Sequence, residues 1–404
     1  VSRLPWLLAA GALALTGCAP NPEVFESAGE SATPAAVEVT GTATHPSMDA
    51  VAETSPSPTV TSCRDVASSL SPAEQVGQLF MIGVDTGGLD EATRSAIANA
   101  RVGSVVLLGN TSAGASPIRQ LTAELGSLGS HRVPVLIAVD QEGGTVQRLK
   151  GEGFSSIPSA REQGALAEGD LRAAAQQWGE ELREVGVHYD LAPVADVVSE
   201  AKRGTNEPIG QLNRDYGSDP EAVSQSIVEF VEGMGAASVA TSVKHFPGLG
   251  EVVTNTDFGI ATDDVIEADG ESLEPFAAAI DAGVDSVMVS SAVFTKIDPD
   301  NEGVFSSVVI EDLLRDDLGF DGVVIADDLG AAKSVSGVAP ADRALRFFDA
   351  GGDLLINANP SLMATMADAT LGRAQSDAEF ADRVLDSVER VLRLKSGVGL
   401  VDCA

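Results

Sequence analysis

Gly319-Phe320-Asp321-Gly322-Val323-Val324-Ile325-Ala326-Asp327-Asp328-Leu329-Gly330 is a short apolar run that delivers two consecutive acids into a turn. So brief a run, bounded by glycines, suits a strand buried on both faces better than one side of a helix. Side chains alternate along a strand, so Asp327 shares a face with Val323 and Ile325 while Asp328 takes the other. One acid can then face a cavity while its neighbour supports the loop. Read by itself, the segment is equally compatible with two solvated acids in a turn.

Runs of the same kind recur at 79–84, 102–108, 133–139, 187–194, 239–243, 286–293, 322–326 and 353–357. Between them lie amphipathic or Ala-rich helical stretches such as 170–185, 220–234 and 273–282, each followed by a glycine before the next run. Alternating strands and helices require parallel strands, and eight such units over ~340 residues predict an α/β protein built as a single (β/α)8 TIM-type barrel. Its first helix is marked by Ser71-Pro72-Ala73-Glu74, an N-cap, a Pro at the first helical position and a Glu two residues on. A doubly wound sheet is the rival architecture. Against it, the first run leads into Asp85-Thr86-Gly87-Gly88, with no G-x-G-x-x-G turn into a helix.

Residues 1–17 begin with a charge at Arg3, continue apolar and end at Leu15-Thr16-Gly17, ahead of Cys18. The run is too short to span a bilayer and reads as a signal peptide. The Leu-Thr-Gly-Cys ending looks like a bacterial lipobox, which implies cleavage before Cys18, lipid on its sulfur, and a mature protein outside the cytoplasm held to the cell membrane by that anchor only. The plainer alternative is an ordinary secretory signal with an incidental Cys. Residues 18–62 are rich in Ala, Pro, Ser, Thr and Glu without periodicity and read as a disordered spacer, leaving 63–404 for the barrel. Cys63 and Cys403 flank that domain and are expected to pair in an oxidising compartment, with two buried thiols as the alternative.

A net charge of −35, from 60 acids and 25 bases, argues against nucleic acid or anionic lipid as partners, since both require a basic surface. No zinc spacing is present, Ser290-Ser291 has no nearby His, and Asp298-Pro299-Asp300-Asn301-Glu302-Gly303 has Val309 where a calcium loop needs its Glu. Neither a metal nor an organic cofactor is implied.

In a barrel, function sits where strands end, and two further strand ends carry chemistry. The third run leads into Asp140-Gln141-Glu142-Gly143-Gly144-Thr145-Val146-Gln147-Arg148, where a carboxylate can bind sugar hydroxyls above a tight glycine turn. The alternative is a helix-capping Asp140. The fifth run ends Lys244-His245-Phe246-Pro247-Gly248-Leu249-Gly250, a cation and an imidazole entering a stiffened loop, either ligand contacts or a satisfied structural pair.

KHFPG, Asp-x-Glu-Gly-Gly and Gly-Phe-Asp-Gly-Val-Val-Ile-x-Asp-Asp, in this order and on these strands, together resemble glycoside hydrolase family 3, in particular its one-domain β-N-acetylglucosaminidases. The resemblance runs from about Leu70 to Leu394. It implies a carbohydrate substrate and a retaining double displacement, with Asp327 as nucleophile and Asp140, Arg214, Lys244 and His245 as sugar contacts, and Arg148, at the end of the segment after the third run, is a further candidate contact. Ala326 stands where the family has Ser or Thr, and the Arg214 segment, Ile209-Gly210-Gln211-Leu212-Asn213-Arg214, is two residues longer than the family pattern.

The main departure follows the fifth run. The family places an Asp-Ser-His general acid/base there, and this chain has Asn255-Thr256-Asp257. His45, His131 and His188 lie elsewhere in the chain, so Asp257 is the expected replacement, on a loop for which Gly248 and Gly250 are the expected hinges. The expected activity is removal of terminal β-linked N-acetylhexosamine from cell-wall or chitin-type glycans. The competing readings are a sugar-binding lipoprotein that has lost catalysis and a β-glucosidase or phosphorylase of the same family.

Overall fold

The computed structural model describes residues 61–129 and 132–404. The signal peptide 1–17, the lipidation site Cys18, His45, His131 and the spacer up to residue 60 lie outside the described residues.

Each of the eight runs carries one barrel strand: β1 (Phe80–Asp85), β2 (Ser104–Leu108), β3 (Leu136–Val139), β4 (Tyr189–Asp190), β5 (Ala240–Phe246), β6 (Ser286–Val289), β7 (Val323–Ala326) and β8 (Leu354–Asn357). All pairs are parallel, chain neighbours are barrel neighbours, and β1 pairs with β8 to close the ring. That closure excludes the open doubly wound sheet. Its physical cause is visible in the strands, which are apolar on both faces because one face fills the barrel and the other meets helices. Met81, Val106, Leu136, Ala138, Tyr189, Met288, Val323, Ile325, Leu354 and Ile356 form the interior cluster. Their chain neighbours, among them Phe80, Ile82, Ile137, Val324 and Leu355, pack outwards on the helical layer.

The helices begin where their caps dictate. Ser71 and Glu74 form the expected capping box, with Pro72 at the first helical position. Asp219 caps the helix Pro220–Ala236 by accepting from Glu221 N and Ala222 N. At the N-terminal end of the barrel, the long helix Ala378–Gly397 sends Val391 and Leu394 into the interior cluster and closes it. Lys395 is wholly buried there, and its Nζ donates to Gln78 Oε1, Gly103 O and Pro134 O at 2.6, 2.8 and 3.0 Å. A short helix, Cys63–Ser68, precedes the one capped by Ser71 that was expected to come first, and a disulfide between Cys63 and Cys403, with Cα atoms 4.9 Å apart, ties it to the segment after the long helix. With one end sealed, the open C-terminal mouth is left for a ligand.

Candidate active site

Strand parity decides which acid of β7 faces the mouth. Val323 and Ile325 belong to the interior cluster and Val324 and Ala326 to the outer one, so Asp327 continues the inward series. Asp328, at the edge of the same cavity, has its oxygens occupied by three backbone N–H groups, from Gly330 and Ala358 through Oδ1 and from Ala331 through Oδ2, at 2.8 to 2.9 Å. It is a loop-building acid. Its own N–H donates to Asp327 Oδ1 at 2.8 Å. Burial raises the pKa of Asp327, neighbouring His245 counteracts this, and the charge of Asp257 adds to the rise.

On β5 the parity rule is interrupted. Lys244 is opposite Met288 and Phe246 opposite Val289, so His245 is an extra residue in the ladder. A bulge of this kind re-aims side chains, and it lets two consecutive residues, Lys244 and His245, both line the cavity. Lys244, only 2 % exposed, donates to Asp140 Oδ1 at 2.8 Å and lies 2.6 Å from Glu142 Oε1. Arg214 grips the same Glu142 with both arms, Nε to Oε2 at 2.8 Å and Nη2 to Oε1 at 2.7 Å. Burial pushes the Glu142 pKa up, but the charges of Arg214 and Lys244 more than reverse this and hold the carboxyl far below its usual range. Burial likewise lowers Lys244, and Asp140 and Glu142 outweigh it, so the lysine stays charged.

Behind this cluster Asp190 accepts from Gln141 N at 2.9 Å, and burial pushes its pKa up to about 8. His245 is oriented from behind by Asp196. The ring Nδ1 lies 2.8 Å from Asp196 Oδ2, while Asp196 Oδ1 accepts from His245 N and Leu249 N at 3.2 and 2.7 Å. A carboxylate at Nδ1 keeps the proton there and leaves Nε2 for the cavity. Arg148 lies 3.7 Å from Asp140 and lines the cavity from the loop after β3.

The loop bearing Asp257 is held by a residue that sequence reasoning passed over. Asn206 is fully buried, and its Nδ2 donates to Leu249 O, Gly250 O and Val252 O while its Oδ1 accepts from Ile209 N and Gly210 N. It thereby ties the β4 loop carrying Arg214 to the β5 loop carrying Asp257. Further along, Lys333 N and Ser334 N donate to Asp257 O and Thr256 O at 3.2 and 3.1 Å. The hinge expected at Gly250 is corrected here: a Cβ at this position would lie 1.8 Å from Val197 O, so its glycine serves close packing, not mobility. Gly248 does take a left-handed φ of 144°.

The result is one cavity of about 410 Å³ at the C-terminal mouth. All seven candidate residues line it: Asp140, Arg148, Arg214, Lys244, His245, Asp257 and Asp327. Its floor is made by Val106, Leu191, Met288 and Ile356 of the barrel interior. The supporting residues Glu142, Asp196 and Asn206 were not singled out from the sequence. Glu142 stood two residues beyond Asp140, but its role depends on Arg214 arriving from 72 positions away. Among the described residues no group of His, Cys, Asp or Glu is arranged to hold a metal ion. In the calcium-like segment Asp298 is occupied by Asp300 N, Asn301 Nδ2 and Ser306 Oγ.

A closed parallel barrel with carboxylates and cationic side chains gathered at its C-terminal mouth defines a barrel enzyme with an acid/base site. Residues 72–394 match the family described as Glycosyl hydrolase family 3 N terminal domain, and the chain belongs to this family. A Beta-hexosaminidase of Xanthomonas campestris pv. campestris (strain B100) is 37% identical over 311 residues, covering 74% of this chain and 90% of that protein. The crystal structure of Beta-N-acetylhexosaminidase from Beutenbergia cavernae DSM 12333 superposes with a TM-score of 0.79 at 45% identity, covering 81% of this chain and 99% of that one. A glycoside hydrolase family 3 beta-N-acetylglucosaminidase from Paenibacillus sp. str. FPU-7 gives a TM-score of 0.74 at 31% identity, covering 82% of this chain and 63% of that one. The chain is therefore a glycoside hydrolase of the β-N-acetylhexosaminidase type.

Proposed function

We propose that the enzyme is a retaining exo-hydrolase of terminal β-linked N-acetylhexosamine in which Asp327 is the nucleophile and Asp257 the general acid and base. The observation that carries this is the meeting of Asp327 and Asp257 in one cavity at the barrel mouth. Against the effect of burial, the charges of His245 and Lys244 favour the ionised form of Asp327, which is the form that attacks. Asp327 attacks the anomeric carbon while Asp257 gives its proton to the departing oxygen. Water then attacks the glycosyl-enzyme, Asp257 takes the proton back, and Asp327 is released. Asp140, Arg148, Arg214, Lys244 and His245 hold the sugar hydroxyls and acetamide through charge-assisted bonds.

Cell-wall or chitin-type glycans are the proposed substrates, met outside the cytoplasm by a protein anchored through lipid on Cys18. The Cys63–Cys403 disulfide supports an oxidising compartment. Membrane association that persists in Cys18→Ala would refute the anchor.

The test of the chemistry is a slow fluorinated N-acetylhexosaminide followed by mass spectrometry. Label is expected on Asp327, and label on Asp328 would overturn the assignment. In Asp257→Ala, glycosides with a good phenolate leaving group should retain far more activity than disaccharides, and azide should restore turnover of the glycosyl-enzyme. Equal loss on both substrate types, or no loss, would remove Asp257 from the mechanism.

A further inference from the structure

Phe258 is the largest strongly exposed apolar side chain among the described residues, at 79 %. It follows Asp257 directly and lines the same cavity as Asp327. Leu212, 36 % exposed, reaches that cavity from the β4 loop, two residues before Arg214. An uncovered phenyl ring gains free energy when a partner excludes water from it, so its location tells which partner is available. The location is fixed by the backbone: Phe258 N donates to Asn255 O at 3.0 Å, and the preceding residues are pinned by Lys333 N and Ser334 N. Thr256, on the other side of Asp257, is buried. The polar wall and apolar floor of the cavity belong to the sugar whose anomeric carbon meets Asp327. Whatever is attached to the bond being cut lies outward of that carbon, at the rim.

We propose that Phe258, assisted by Leu212, is the platform for the leaving group and stacks on the apolar C–H face of a second pyranose ring. This rests on the glycosidase reading above. The proposed acid role of Asp257, the chemistry of a pyranose ring and one feature of the loops together select a pyranose as the occupant. Asp257 must reach the glycosidic oxygen, and the group bonded to that oxygen is what lies one residue away at Phe258. A β-linked pyranose presents its axial C–H bonds as a flat apolar face, which matches an aromatic ring in size and polarity. Finally, the phenyl ring and Leu212 come from two different loops joined by Asn206, so the platform is built onto the same frame as the catalytic loop. The enzyme should therefore discriminate in favour of a carbohydrate leaving group over one without a ring, through binding outward of the bond and not through the chemistry itself.

The experiment compares wild type and Phe258→Ala on N,N′-diacetylchitobiose and on N-acetyl-β-glucosaminyl fluoride, whose leaving group has no ring. Covering part of a phenyl ring predicts a fall of about tenfold in kcat/KM on the disaccharide. On the fluoride the change should stay within about twofold. Phe258→Tyr, which keeps the ring, should restore the disaccharide rate. Equal losses on both substrates, an unchanged disaccharide rate, or a Tyr variant no better than Ala would overturn the platform. Wild-type protein that cleaves neither substrate would overturn the glycosidase reading and the platform with it.

Discussion

Glu142 shows how a buried charge can organise a site without touching the substrate. It stands between Lys244 and Arg214, with Asp140 completing a group of two acids and two bases in a nearly dry environment. Two cations without this acid would repel each other and lose their fixed positions. Glu142→Gln keeps the shape and removes the charge. Leaving the cations with only Asp140 should cost about 3 kcal/mol of stability. Denaturant unfolding measures the loss, and KM should rise more than kcat falls, because the hydroxyl contacts move while Asp327 does not. A variant with wild-type stability and KM would mean that Asp140 alone suffices. Asp196 acts similarly on His245, and neither acid reports its function through its own sequence neighbours.

At the scale of elements, the β4 and β5 loops behave as one unit. Asn206 bonds to both, and Gly250 lets the second pass against Val197 O. Gly250→Ala would drive a Cβ into that carbonyl and displace the loop that carries Asp257 and Phe258. Overpacking of this kind costs about 1 to 3 kcal/mol. The larger effect should be on catalysis: misplacement by about 1 Å is worth roughly 100-fold in rate. Steady-state kinetics beside Gly204→Ala, a site with open space around the added methyl, separates a loop effect from a general one. If both variants keep wild-type rates, the β5 loop does not depend on that close approach. The β5 bulge belongs to the same scale, because one extra residue in the ladder is what allows Lys244 and His245 to share a cavity.

For the whole molecule, the seal at the N-terminal end sets a pH dependence. Lys395 donates hydrogen bonds to three oxygens, none of its partners among the described residues is a carboxylate, and burial pushes its pKa down to about 7. The unfolded chain holds that proton up to about pH 10.4. Between these values the unfolded state binds more protons, so stability from this group rises as pH increases from about 7 towards 10 and is flat below. The unfolding free energy of wild type minus that of Lys395→Met should therefore grow by up to a few kcal/mol over this range. A difference that is constant or shrinks with pH would show that the lysine is charged in the folded protein throughout. The disulfide and the pairing of β1 with β8 close the same end of the chain's path.

The barrel was legible in the sequence because a parallel strand buried on both faces must be apolar throughout, and eight such runs separated by helices leave one economical closure. Alternation put Asp327 on the face of Val323 and Ile325 and Asp328 on the other, but which face is the inner one was decided by the closed barrel. Asp140, Arg148, Lys244 and His245 were legible as polar groups at or just beyond strand ends, whereas Arg214 and Asp257 were found only through the resemblance to the family. What tertiary structure alone decided is everything that depends on distant segments meeting: Glu142 between Lys244 and Arg214, Asp196 behind His245, Asn206 between two loops, the tight place of Gly250, and the ring of Phe258 at the rim. Hydrogen bonds and charge pairs reward proximity in space, and local sequence records only the side chains that are available for them.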